Sequence, residues 1–484
     1  MFICVHPWIQ TRCHRATPLL KEDKFARIAA LRPARNREAP AACAPESAAA
    51  GDRLAQLLGA GINRNHYGEH LSLREWYPTP GMCSPDPRSL SLLLPQSSAA
   101  ELALTAAADP GQWLFLDTET TGLSGGTGTY AFMVGIAWWE GGGLQVEQFF
   151  MRDLNEEHSL LQELFERMKA RPVLVTFNGK SFDWPLLDTR FRMTRAFKDF
   201  APRLHLDVLH PARQLWRMRL GSVRLRDLER QVLSGDGRPL DWTRRDDIDS
   251  SLIPQMYFDY LREGAAEPLV GIFRHNQMDL RGLAALAGRI LTLLDSANGI
   301  ANAVSAEEHN PMDVLGLSRL MRKRGQPTRA RALYETALNF GLPRSLERMA
   351  QLELAQLAKR ELDYNRAVTL WDALREASGA KQRAAAPLLP EDELRALEAT
   401  IAAAEQLAIY YEHRARQPQR AMELVRAALA EVQQARRDGV LTKDRAMRIE
   451  TRLSRRLTRL ERRCQGSSLF SRPRTGPRST PITA

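Results

Sequence analysis

Between residues 113 and 177, short apolar runs recur at strand length: WLFLDTE, YAFMVGIAWW, LQVEQFFM and VLVTF. Their Val, Phe, Tyr and Trp content, and boundaries of glycine or polar residues, predict strands. The first three are joined by the short glycine-rich turns SGGTG and GGG, which suit antiparallel neighbours. SLLQELFERMKA and the stretch from Leu280 to Leu294 carry apolar residues at helical spacing instead. Three antiparallel strands, then helix, strand and further helices, predict a mixed α/β sheet covered by helices across residues 110–295. From residue 311 the period is helical alone, so an all-α region is expected over 311–463, after a linker at 296–310. Upstream, DRLAQLLGA predicts a short helix, and the prolines of WYPTPGMCSPDP predict an irregular remainder of 51–109. Residues 1–50 turn from basic to Ala/Pro-rich and read as a disordered extension, as do the basic residues 464–484.

Within the helical region a spacing recurs. Ala330, Tyr334 and Ala337 stand four and then three apart, as do Ala367, Trp371 and Leu374, and again Ala421, Val425 and Ala428. Small and large residues alternating in this way resemble the second helix of a tetratricopeptide repeat, where small side chains let paired helices approach. Such a region implies a scaffold or a surface for a protein partner; an irregular helical bundle fits the spacing as well.

Charge and cysteine content narrow the class. The formal net charge is +11 and lies at the ends: nine arginines against Glu461 give +8 over 451–484, and eight basic against three acidic residues give +5 over 1–40. A local excess also falls inside the α/β segment, where eleven basic and five acidic residues give +6 over 188–230. Both patterns suit a nucleic-acid partner, DNA or RNA. The five cysteines are scattered without CxxC spacing, which argues for a reducing compartment and against a thiolate metal site. No apolar run reaches the roughly 18 residues of a membrane span, so no membrane partner and a cytoplasmic location are expected.

The candidate chemistry is acidic. Asp117 and Glu119 sit two apart in the first strand and so share a face. Asn178 closes the fourth strand and leads to Asp183 near a helix start, and His275 and Asp279 lie four apart on a predicted helix, again on one face. Four carboxylates converging on one edge of a sheet repel one another unless divalent cations balance them. Oxygen ligands favour Mg²⁺ or Mn²⁺ over zinc. A second grouping, His205, Asp207 and His210, is a weaker metal candidate because strand alternation separates His210 from the other two. The loop SGGTGTY lacks the GKS/GKT ending of a phosphate-binding loop and joins two strands, so it predicts a hairpin.

D-x-E in the first strand, N-x₃-F-D in the second motif and a histidine four residues before the last aspartate resemble the DEDD exonuclease superfamily, with its ribonuclease H-like fold. The continuation TGLSGG-G-TYAF is similar to the YprB-like ribonuclease H-like domain, which can precede tetratricopeptide-like repeats. This resemblance implies a metal-dependent 3′→5′ exonuclease that hydrolyses phosphodiesters with two Mg²⁺ or Mn²⁺ ions. In that scheme Asp117 bridges both ions, Glu119 and Asp279 hold the one carrying the nucleophilic water, Asp183 supports the other, and His275 orients or deprotonates the water. The His-x₃-Asp spacing joins the histidine of one subclass to the spacing of the tyrosine in another, which sets the histidine differently toward the water. Asn178, Lys180, Arg192, Arg195, Arg217, Arg219, Arg224 and Arg226 are candidates for contact with the nucleic acid. Two alternatives share the fold: a non-catalytic nucleic-acid-binding adaptor that recruits a protein through its helical repeats, and a ribonuclease H-type endonuclease.

Overall fold

The computed structural model describes residues 45–78, 87–94, 109–122, 127–194, 201–202, 204–234, 242, 244, 247–301, 309–376 and 390–469. A seven-stranded mixed sheet organises its first half: β1 (Gly61–Asn65), β2 (Gly68–Pro78), β3 (Trp113–Thr120), β4 (Ala131–Glu140), β5 (Gly143–Phe150), β6 (Val173–Thr176) and β7 (Leu204–Asp207). The strand order is β1-β2-β5-β4-β3-β6-β7. As expected, β3, β4 and β5 pair antiparallel, while β6 and β7 join in parallel on the other side of β3. The hairpin β1-β2 was not expected. It extends the sheet by pairing β2 with β5 from Leu71↔Phe150 to Pro78↔Gly143, and the prolines of the expected irregular segment begin only where β2 ends. The first 44 residues and the tail after 469 lie outside the described residues.

Alternation along β3 divides the core. Trp113 and Phe115 face one layer with Val173 and Val175, and Leu114 and Leu116 face the other with Val134 and Leu174. Helices α1 (Pro45–Leu58), α2 (Glu157–Ala170), α3 (Asp183–Met193) and α5 (Ile253–Glu263) contribute to the Leu114 side. The Trp113 side receives α4 (Leu209–Leu220). One helix serves both: α6 (Leu269–Asp295) places Leu269, Ile272 and Phe273 on the Leu114 side and Leu280 to Leu294 on the Trp113 side. Its middle turn, residues 275–279, therefore passes beside the end of β3.

Register leaves that end open. β6 accompanies β3 only from Trp113↔Val173 to Phe115↔Val175, and the β3–β4 register shifts between Glu119 and Thr120. Asp117 to Thr120 thus project past β6 with one edge of the strand unpaired by a neighbour.

Six further helices form three hairpins, α7 (Pro311–Lys323) with α8 (Pro327–Asn339), α9 (Arg344–Arg360) with α10 (Tyr364–Glu376), and α11 (Pro390–His413) with α12 (Pro418–Arg437), followed by α13 (Lys443–Leu469). The nine residues of the recurring spacing fall on α8, α10 and α12, the second helix of each pair, and all are buried. This region shares a core with the sheet domain: Trp216 of α4 packs in one cluster with Val314, Leu315 and Tyr334. A Cβ on Gly316 would lie 2.4 Å from the carbonyl oxygen of Leu215, so α7 can approach α4 only with glycine there. Arg219 bonds Asp313 across the same seam at 2.7 Å.

Candidate metal centre

The open end of β3 carries the carboxylates. Asp117 and Glu119 share the face of Trp113 and Phe115, and the middle turn of α6 brings His275, Asn276 and Asp279 over them. Carboxylate or imidazole atoms of Glu119, His275 and Asp279 all lie within 4.8 Å of one another. Asp183, at the start of α3, approaches from the opposite side of the strand, where Thr118 points, and Thr118 Oγ1 donates to its Oδ1 at 2.6 Å.

Electrostatics here are adverse. Burial first, then the charges of Asp279, Glu119 and Asp183, push the Asp117 carboxyl well above the usual range. Glu119 is raised for the same reasons, by burial and then by Asp279, Asp183 and Asp247. Burial also lifts Asp183, to about 6, against the hydrogen bond from Thr118. Glu119 is only 9% exposed, and its carboxylate meets no hydrogen-bond donor among the described residues. An apolar sheet edge that gathers acidic oxygens, with no donor to one of them among the described residues, suits a hard divalent cation. The single imidazole admits Mn²⁺ as well as Mg²⁺.

Around this centre stand residues that sequence reasoning missed. Asn276, wholly buried, donates through Nδ2 to Asp117 Oδ2 at 2.9 Å and accepts from Gln148 Nε2 at 2.9 Å, so one Asp117 oxygen is fixed from behind. Gly135 makes room for it, since a Cβ there would lie 1.9 Å from Asn276 Oδ1. Gly135 is also the β4 partner of Asp117.

A second support comes from the segment preceding α5. Arg244 binds Glu229 with two hydrogen bonds of 2.6 Å, reaches Asp279 Oδ1 at 2.5 Å and lies 3.4 Å from Asp247 Oδ2. Burial opposes the charge on this guanidinium, but Asp279 and Glu229 raise its pKa further. Burial lifts Glu229 to about 7 despite the Arg244 contact. The Glu229 carboxylate can sit against α6 because residue 282 is glycine: a Cβ there would come within 1.8 Å of Glu229 Oε1. Asp247 Oδ1 bonds His275 Nδ1 at 2.7 Å, and His275 Nε2 faces Asp279 Oδ2 at 3.4 Å and Ser250 Oγ at 3.3 Å. Although burial works the other way, the His275 bond and Arg244 hold the Asp247 carboxyl below its usual range. Gly135 and Gly282 were the signals available in the sequence, each close to a motif residue, but their use depends on partners distant along the chain.

Other candidates from the sequence fall elsewhere. Asp207 braces a loop, accepting the backbone N–H groups of Asn178, Lys180 and Leu209 at 2.8, 3.1 and 3.1 Å. Asn178 itself has a left-handed φ of 68°, which asparagine tolerates well. His205 Nε2 meets Thr176 Oγ1 at 2.8 Å, and burial, then Lys180, lowers its pKa to about 4. Arg192 pairs with Asp188 at 3.0 Å, and Arg219 holds the seam to the helical region. Arg217, Arg224 and Arg226 are exposed, while Arg195 and part of the SGGTG loop lie outside the described residues.

A mixed sheet of this order, with carboxylates at the exposed end of its central antiparallel strand, defines a ribonuclease H-like domain. Residues 114–291 match the family model described as the RNase_H superfamily and form a domain of that superfamily, whose fold points to nucleic-acid hydrolysis. The chain is also homologous to the uncharacterized protein YprB of Bacillus subtilis (strain 168), with 27% identity over 326 residues, 66% of this chain and 69% of that protein. No helix among the described residues is long and apolar enough to cross a membrane.

Proposed function

We propose that the protein is a divalent-cation-dependent 3′→5′ exonuclease in which Asp117, Glu119, Asp183 and Asp279 hold two Mg²⁺ or Mn²⁺ ions. The observation that carries this reading is the unbalanced cluster at the end of β3, where burial and the neighbouring acids raise Asp117 and Glu119, and burial lifts Asp183 beside them. A protein keeps such a cluster at a cost in stability, and cation binding removes that cost.

When bound, the ions supply charge stabilisation for the attacking and leaving oxygens at phosphorus. The chain's own groups supply position and proton transfer. Asn276 fixes one oxygen of Asp117, and Thr118 fixes one of Asp183, so the centre is organised before substrate arrives. His275 directs Nε2 toward Asp279 and takes the proton from the attacking water. The water oxygen bonds to phosphorus, the bond from phosphorus to the 3′ oxygen of the preceding nucleotide breaks, that oxygen takes a proton from solvent to become the new 3′-hydroxyl, and a 5′-mononucleotide leaves. Of the arginine candidates, Arg217, Arg224 and Arg226 are exposed and free to meet phosphates.

The test is a comparison of the full chain with Asp117→Ala on 5′-labelled single- and double-stranded DNA and RNA, in Mg²⁺, Mn²⁺ or EDTA. A ladder shortening from the 3′ end, dependent on metal and absent in the variant, is the expected result. Internal cuts would replace the exonuclease with an endonuclease, and binding without any product would favour the adaptor.

A further inference from the structure

We infer that Asp247 is a positioning residue, which locks His275 with Nε2 toward the metal centre and is itself held in register with Asp279 by Arg244. The geometry is that of a carboxylate–imidazole pair. Asp247 Oδ1 stands 2.7 Å from His275 Nδ1, and the two side chains are only 7% and 9% exposed. An ionised carboxylate can only accept, so Nδ1 must carry the proton and Nε2 is the nitrogen left for chemistry. Ser250 Oγ, 3.3 Å from Nε2, limits rotation of the ring on its other edge.

Arg244 links the two carboxylates. Its guanidinium, 2% exposed, touches both Asp247 and Asp279, and Glu229 on the far side fills two more of its donors. Three acids around one buried cation set the distance between the residue that orients the histidine and the residue the histidine faces. Here the four-residue spacing of His275 and Asp279 acquires a meaning: one helical turn stacks them, and Arg244, Asp247 and Ser250 supply the clamp that holds the stack.

The inference rests on the hydrolytic reading only for its kinetic arm, so it is tested in two ways. In metal-free, ¹⁵N-histidine-labelled full-length protein, a strongly downfield Nδ1 proton is expected, assigned by its disappearance in His275→Gln. It should move upfield or vanish in Asp247→Asn. Absence of that resonance in the unaltered protein, or its persistence unchanged in Asp247→Asn, would overturn the inference whether or not any substrate is cleaved. For turnover, Asp247→Asn should lower kcat about 10- to 100-fold with KM little changed. His275→Gln should cost more, on the order of 10²–10⁴-fold, and adding Asp247→Asn to it should cost nothing further. Multiplying losses in the double variant would assign Asp247 a separate role and sink the inference. A thermal melt controls for folding, and if Asp247→Asn does not fold, the resonance in the unaltered protein decides alone.

Discussion

Two buried acidic clusters in this chain are built in opposite ways. At the end of β3, Asp117 and Glu119 share one face and Asp183 approaches from the other; burial raises all three, and like charge adds to it, from Asp279 on Asp117 and Glu119 and from Asp207 on Asp183. In the helical region, Glu412 of α11 is a single buried carboxylate met by Arg456, Arg459 and Arg463 of α13 at 3.0, 2.7 and 3.2 Å. Burial opposes its charge, yet Arg459 and the cations beside it hold its pKa below the usual range. The second cluster is satisfied by the chain alone and reads as a clamp between helices. In the first, the donors that reach Asp117 and Asp183 are neutral and leave the repelling charges in place, which is why function is assigned to it. Arg244 does not remove the contrast: it reaches Asp279, while the side-chain partners of Asp117 and Asp183 are the neutral Asn276 and Thr118.

The largest expected difference between the two is chemical. Asp117→Asn keeps an acceptor for Asn276 yet removes a charge from the unbalanced cluster. Hydrolysis should fall by on the order of 10⁴-fold or more. Its metal-free stability should nevertheless rise, by about 1 kcal/mol, and the stabilisation conferred by Mg²⁺ or Mn²⁺ should disappear. A fall in metal-free stability would mean that the cluster is a structural element like that of Glu412.

Gly135→Ala attacks the same centre from behind. The added methyl would lie 1.9 Å from Asn276 Oδ1, and the Gln148–Asn276–Asp117 chain must move or break. A loss of about 1–3 kcal/mol is expected from overpacking, with a drop in activity larger than the stability loss explains. Retention of full activity would show that Asn276 does not organise Asp117.

How much of this centre could be read in advance follows from which contacts are local. Asp117 with Glu119 depends only on strand alternation, and His275 with Asp279 only on the helical turn, so both pairs were legible. Asp183 was placed by its motif, while its Thr118 contact depends on where β6 stops. Arg244, Asp247, Glu229 and Asn276 were not legible, because their roles exist only after α6 has crossed the sheet and the segment before α5 has folded onto it. The hairpin β1-β2 was missed for a related reason. HYGEHLSLREWYP is polar and runs into prolines, and β2 alternates clearly only near its exposed end, while His70, Leu71, Ser72 and Leu73 are all buried.

On the balanced side, Glu412→Gln should lower stability, the opposite sign to Asp117→Asn. The expected loss is about 1–2 kcal/mol, less than for a fully enclosed pair, because Arg459 and Arg463 are each 53% exposed and regain water. Nuclease activity should not change, which chemical denaturation and the ladder assay together would check.

His70 of β2 supplies a third response to burial, neutralisation, and the smallest effect near neutral pH. It is fully buried, its Nδ1 meets Ser159 Oγ at 2.9 Å, and burial, then the charge of Arg152, lowers its pKa from 6.5 to about 4. A histidine whose folded pKa is depressed binds its proton more readily when unfolded. Stability is therefore complete above the unfolded pKa and is lost as pH falls from about 6.5 toward 4. By about pH 5.5 the loss should be on the order of 1 kcal/mol, and His70→Gln should remove this part of the pH dependence. Asp183, lifted to about 6, titrates in an overlapping range, so the measurement is the difference between His70→Gln and the unaltered chain, both denatured in saturating Mg²⁺. Parallel stability curves would mean that His70 does not hold the hairpin as a neutral group, leaving pairing and cation binding as the means by which this fold accommodates buried ionisable side chains.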